Sequence, residues 1–200
     1  MKKILVITLA VVLLLGVIIV AKSIGAYNSI IAGEENVRTA WAQVENTYQR
    51  RYDLIPNLVA TVQAEADFEK STLTEVIDAR SRLGGTVKVD ENLLGDEAAM
   101  KRFQESQATL GSALQRLMMV TENYPNLKSN QSFQDLRVQL EGAENRIAVE
   151  RKRYNETVRD FNTYIRQFPN NLIAGFAGVT PKVPFAADAN AATAPKVEFK

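Results

Sequence analysis

Residues able to move protons, attack a carbonyl or hold a metal are scarce in this chain. Histidine and cysteine are absent, which removes imidazole bases, thiol nucleophiles, disulfides and the commonest transition-metal ligands. Carboxylates remain as the groups that could form acid–base pairs or bind a hard cation through oxygen. Their spacing makes no such site, and phosphate loops, dinucleotide glycine patterns, the nucleophile elbow and metal-protease helices do not occur. The sequence therefore predicts a protein that is not an enzyme and has no cofactor or metal. With 24 basic and 23 acidic residues the net charge is +1, so no overall field draws nucleic acid.

Three charged residues nevertheless fall where apolar ones are expected. Glu34, Glu144 and Arg151 sit in the heptad columns of two long helical patterns, where polar residues often fix pairing register. If those helices run antiparallel with Tyr48 level with Arg137, Glu34 meets Arg151 and Asn28 comes near Asn155. The expectation is a Glu34–Arg151 ion pair, buried in the seam or solvated at its edge; a carboxylate-dependent hydrolase is the least favoured alternative. The second cluster is Arg50, Arg51, Tyr52 and Asp53, which a corner at Pro56 would bring to the molecule's far tip beside Tyr124 and Asn126. Arginines next to Tyr48 and Tyr52 have the make-up of a partner-docking surface. The plainer reading has Asp53 capping a second helix, the arginines bonding the carbonyls that end the first, and Trp41 in the core.

These residues need rods to carry them. Two hundred residues, 46% hydrophobic, suffice for one domain and an appendage. Residues 1–3 form a short basic start. Ile4 to Ala21 is an uncharged run of 18 residues, roughly 27 Å long as a helix, and predicts a transmembrane segment. A cleaved secretory signal is the alternative, with Ala21, Ser23, Gly25 and Ala26 as small residues, but the run exceeds the about 7–15 apolar residues usual there. Lys2 and Lys3 precede the run and Lys22 follows it, which favours a cytoplasmic amino terminus and a domain on the other side.

Residues 27–168 read as an all-α, elongated antiparallel four-helix bundle, up-down-up-down. The first helix carries Tyr27, Val37, Trp41, Val44 and Tyr48 and ends near Leu54; the second starts at Pro56 and stops at Gly84-Gly85. Gly84 to Gly95 is a loop. Asp96 caps a third helix that ends before Tyr124-Pro125-Asn126. The fourth starts near Asn130, repeats Phe133, Leu140, Ile147, Tyr154, Phe161 and Phe168 every seven residues, and closes at Pro169. Helices one to three come out at matched lengths of about 28 residues, and the fourth is the longest. Residues 169–185 are apolar but broken by Gly and Pro, unsuited to a stable helix; they touch the lipid surface or fill the membrane-proximal end of the bundle. Residues 186–200 read as disordered.

Taken together, the amino-terminal span, Tyr27-Asn28, Trp41, the run Arg50-Arg51-Tyr52-Asp53-Leu54-Ile55-Pro56-Asn57-Leu58-Val59, Glu122-Asn123-Tyr124-Pro125-Asn126-Leu127-Lys128, Tyr154-Asn155 and Phe168-Pro169 resemble the LemA family. The likeness extends to the tail Ala194-Pro195-Lys196-Val197-Glu198-Phe199. It implies a single-span bacterial envelope protein with a helical domain, in a family that includes a magnetosome-associated branch. Association of family members with membrane metalloproteases and other envelope proteins implies a scaffold or adaptor, or alternatively a substrate-selecting partner of a membrane protease. Some descriptions of the family put the small amino terminus outside, against the charge argument. The resemblance brings no catalytic residue with it. The expected partners are the membrane, other envelope proteins and, through the amphipathic rods, further copies of the chain.

Overall fold

The computed structural model describes residues 2–65, 68–83 and 91–186, without the side chains of Lys2, Glu91 and Asn92. Among these residues all regular structure is helical: α1 (Lys2–Gln63), α2 (Lys70–Arg82), a 3-10 turn (Glu91–Gly95), α3 (Glu97–Thr121), the short α4 (Pro125–Ser129), α5 (Gln131–Arg166) and α6 (Asn170–Phe176). Most of the expected loop (84–90) and nearly all of the expected tail (187–200) lie outside the described residues.

The expected corner at Pro56 does not exist. Helix α1 passes through Pro56 without interruption, so the apolar run and the first soluble rod are one 62-residue helix. A proline inside a helix costs roughly 3 kcal/mol because it removes a donor and crowds the preceding turn. Here Pro56 lies on the exposed face, and Ile55 before it and Leu58 two residues on are fully buried. Burying two such side chains returns about 1.5–3 kcal/mol each, enough to hold the helix through the proline. The chain turns instead after Gln63, where Glu65 N–H donates to the Val62 carbonyl and Phe68 N–H to that of Glu65. The anchor of this turn is Phe68, buried and 4.9 Å from the Tyr124 ring between centroids. The second rod is consequently 13 residues long, not the matched length expected.

Helix α5 packs antiparallel along α1. Arg51 meets Glu144, the Trp41 ring lies 5.3 Å from that of Tyr154, and Gly33 faces Phe161. A Cβ at Gly33 would stand 2.9 Å from the Phe161 ring, so the bare glycine backbone is what lets the ring lie against α1 at this level. These pairs shift the register about ten residues from the expected one, and Glu34 and Arg151 never meet. The repeating column Phe133, Leu140, Ile147, Tyr154 and Phe161 is buried as expected, whereas Phe168 lies beyond the end of α5 and is exposed. Asp96 caps α3 by accepting from Ala98 and Ala99 N–H at 2.8 and 3.0 Å, and Asn130 caps α5 by accepting from Phe133 N–H at 3.2 Å.

Replacing Pro56 with alanine restores a donor to the preceding turn. The expected outcome is a gain in unfolding free energy of about 1–3 kcal/mol, read as a higher denaturant midpoint; a lower midpoint would show that α1 needs its proline.

Candidate functional site

The apolar glycine- and proline-broken segment, expected to be non-helical, forms a helix and then a strap. Helix α6 closes on Gly178, whose φ of +69° is open to glycine at little cost, with Val179 N–H bonding the Ala174 carbonyl at 3.0 Å and Gly178 N–H that of Gly175 at 3.2 Å. This glycine-centred termination reverses the chain. Residues 179–186 then run back along the bundle without helix, where Pro181 and Pro184 favour an extended backbone.

Two asparagines of α5 hold the strap. Asn155 accepts from Phe185 N–H at 2.8 Å and donates to the Phe185 carbonyl at 3.1 Å; Asn162 does the same to Lys182, both bonds at 2.8 Å. The spacings match. Seven helical residues rise roughly 10.5 Å, and three extended residues cover roughly 10 Å, so the two side chains meet the main chain at every third residue. Tyr154 Oη donates to the Val183 carbonyl at 2.8 Å, and Val183 N–H donates to the Leu94 carbonyl at 2.8 Å, tying the strap to the 3-10 turn.

Side chains complete the grip. Phe185 is buried, stacked on Trp41 at 5.7 Å and edge-on to Tyr154 at 5.5 Å between centroids, while the Arg151 guanidinium lies 4.7 Å over its outer face. Lys182 pairs with Glu34 where both are largely shielded from water. Burial lifts the Tyr154 phenol far above its ordinary range. The arrangement recognises main chain, a ring and a cation, and it presents no nucleophile beside a base. Among the described residues no group of three or more His, Cys, Asp or Glu is placed to hold a metal ion.

The residues singled out from sequence are redistributed accordingly. Glu34 binds Lys182 instead of Arg151, because the register differs; Arg151 covers Phe185 and donates to the Ala186 carbonyl at 3.4 Å. Asn155 holds the strap and not Asn28, which is exposed on α1. Because α1 does not stop, Arg50, Arg51, Tyr52 and Asp53 are mid-helix and neither cap nor form a tip. Arg51 is only 3% exposed, bonded to Glu144 at 2.7 Å and to the Gln107 side chain, and Tyr52 is buried beneath Arg80. Both side chains are buried inside the domain instead of presented at its surface. Asp53 accepts from Gln49 at 2.7 Å, and Arg50 is exposed. Tyr124 packs on Phe68 at the opposite end of the domain from α6, next to exposed Asn126. Sequence reasoning missed Asn162, Lys182 and Phe185. The available signal was a pair of asparagines seven apart on one helix, each directly following a core aromatic, Tyr154 and Phe161.

The geometry thus defines an all-helical protein, a buried helical domain continuous with an exposed apolar helix long enough to cross a membrane. The chain belongs to the LemA family, whose model matches residues 40–199. It is 29% identical over 171 residues to magnetosome protein MamQ 2 of Paramagnetospirillum magneticum, and 28% identical over 167 residues to MamQ of Magnetospirillum gryphiswaldense. Each match covers 76% of this chain and 61% of the relative, so the chain corresponds to about three-fifths of those proteins' length. It is also 21% identical over 151 residues to protein LemA of Metamycoplasma hominis, covering 76% of this chain and 64% of that one.

Substituting Asn155 with alanine removes both bonds to Phe185, about 1–3 kcal/mol of strap docking. Hydrogen exchange at the Phe185 amide is expected to quicken at least tenfold with α1 and α5 protection retained; equal exchange would exclude the clamp. A second expectation concerns pH. A phenol whose folded-state pKa is raised stabilises the fold fully below the unfolded value of about 10, and that contribution is lost as pH rises toward the folded value. Stability should therefore fall on alkaline titration above about pH 10, with a shallower fall in Tyr154→Phe, as followed by circular dichroism.

Proposed function

We propose that this protein is a non-enzymatic, membrane-anchored helical scaffold or adaptor of the bacterial envelope, four rods running up, down, up and down from a single span. The observation that carries this is the continuity of α1. Its first part is exposed and apolar, its second part is the core of the domain, and no break separates them. Helix α6 supports the same reading. Ile173 faces the bundle while Phe168 and Phe176 are 81% and 95% exposed, and α6 lies beside Ile18, Ile19, Lys22 and Tyr27 where the apolar run ends. Exposed phenylalanines at that level suit the interface between lipid and water. Hydrolysis by carboxylates is disfavoured because Glu34 and Glu144 are each committed to a cation. A substrate-selecting partner of a membrane protease is the second reading, favoured by a groove that grips extended main chain.

Lys2 and Lys3 before the apolar run against Lys22 after it favour a cytoplasmic amino terminus with the domain on the other side of the membrane. In intact cells the variant Asn126→Cys, whose new thiol is the only one in the chain, should be labelled by an impermeant thiol reagent, and the protein should stay with the membrane through alkaline carbonate washing. Labelling only after lysis reverses the orientation; release by carbonate overturns the anchor. A photocrosslinker at the same position should retrieve envelope proteins, and membrane proteases among them would favour the second reading.

A further inference from the structure

The strap sequence Pro181-Lys182-Val183-Pro184-Phe185 recurs at the chain end as Pro195-Lys196-Val197-Glu198-Phe199, fourteen residues later. The one position that differs is the one the groove ignores. Pro184 is exposed and its nitrogen makes no hydrogen bond, whereas Lys182, Val183 and Phe185 supply the bonds to Asn162, Tyr154 and Asn155, the ion pair with Glu34 and the buried ring. Lys196 and Phe199 also carry the two N–H donors that Asn162 and Asn155 require. We propose that the groove between α1 and α5 is a receptor for the pattern Pro-Lys-Val-X-Phe, and that Pro195–Phe199 of the same chain is its alternative occupant, exchanging with Pro181–Phe185.

Tethering sets the balance. After α6 the strap needs a loop of only a few residues to reach Asn162, and the tail needs fourteen more. A loop about four times longer is disfavoured roughly tenfold. Glu198 in place of Pro184 brings a carboxylate next in sequence to the phenylalanine whose site Arg151 covers, a charge pairing that offsets part of that preference. Both segments are thus near enough in free energy for one groove to hold either. When the strap leaves, the exchange frees residues 177–194 as a loop without emptying the aromatic site.

Trp41, the one tryptophan in the chain, reports the occupant because Phe185 stacks on it. Iodide quenching of the full-length protein in lipid nanodiscs is the measurement. Phe199→Ala should quench like the parent, and Phe185→Ala within about twofold of it because Phe199 takes over; the double variant should quench several-fold more. Phe185→Ala as exposed as the double variant would overturn the proposal. A second measurement avoids the double variant. A nitroxide on Glu198→Cys should dim Trp41 at least threefold more in the Phe185→Ala background than with Phe185 present, independently of protein concentration. No difference between the backgrounds overturns the exchange, and a difference that grows with concentration overturns the assignment to the same chain.

Discussion

The antiparallel register of α1 on α5 is what the remaining elements are built upon. It is set by unequal pieces that fit at one alignment only: the Phe161 ring against Gly33, Tyr154 edge-on to Trp41, and Arg51 reaching Glu144. Close-packed interiors resist a shift of even a methylene, so a slide of one turn would put a ring against a side chain where backbone now lies. Once α1 and α5 are fixed, Asn155 and Asn162 point along a line that an extended segment can follow. The strap is therefore a consequence of the register, and it seals the aromatic cluster that the register creates.

Two kinds of polar interior coexist here. In the strap, each asparagine gives and accepts one bond with a single residue, so its amide is matched by the main chain. Around Arg51 the matching is incomplete: the guanidinium meets Glu144 and Gln107, but Arg51 Nε and Gln107 Nε2 have no hydrogen-bond partner among the described residues. A buried cation of this sort adds little net stability and imposes a strong preference about which elements surround it. It joins α1, α3 and α5 at one level, the role that the sequence suggested for a different pair.

Much of this was legible beforehand, for reasons tied to particular residues. The apolar run announced itself by length, and Asp96 and Asn130 by their positions ahead of helical patterns. The heptad of α5 gave its buried face down to Phe161. What failed was local chemistry overruled by packing: Pro56 reads as a boundary, but Ile55 and Leu58 hold the helix through it. The turn after Gln63 carries no glycine or proline, because Phe68 makes it by burying a ring. Heptads specify a face but not an alignment, since a slide of about ten residues still carries one apolar column onto the next; hence Glu34 and Arg151 do not meet. The strap was hidden because its residues are recognised through their main chain.

An unbroken α1 also makes a lever. The helix extends from Lys2 to Gln63, and the part beyond the apolar run is roughly 60 Å long at 1.5 Å per residue. Spans lean by different amounts as bilayer thickness changes, at small energetic cost. With no hinge between lipid and domain, a lean of about ten degrees would sweep the Phe68–Tyr124 end sideways by roughly 10 Å. Bilayer thickness would then decide how far from the membrane, and in what direction, that end is displayed.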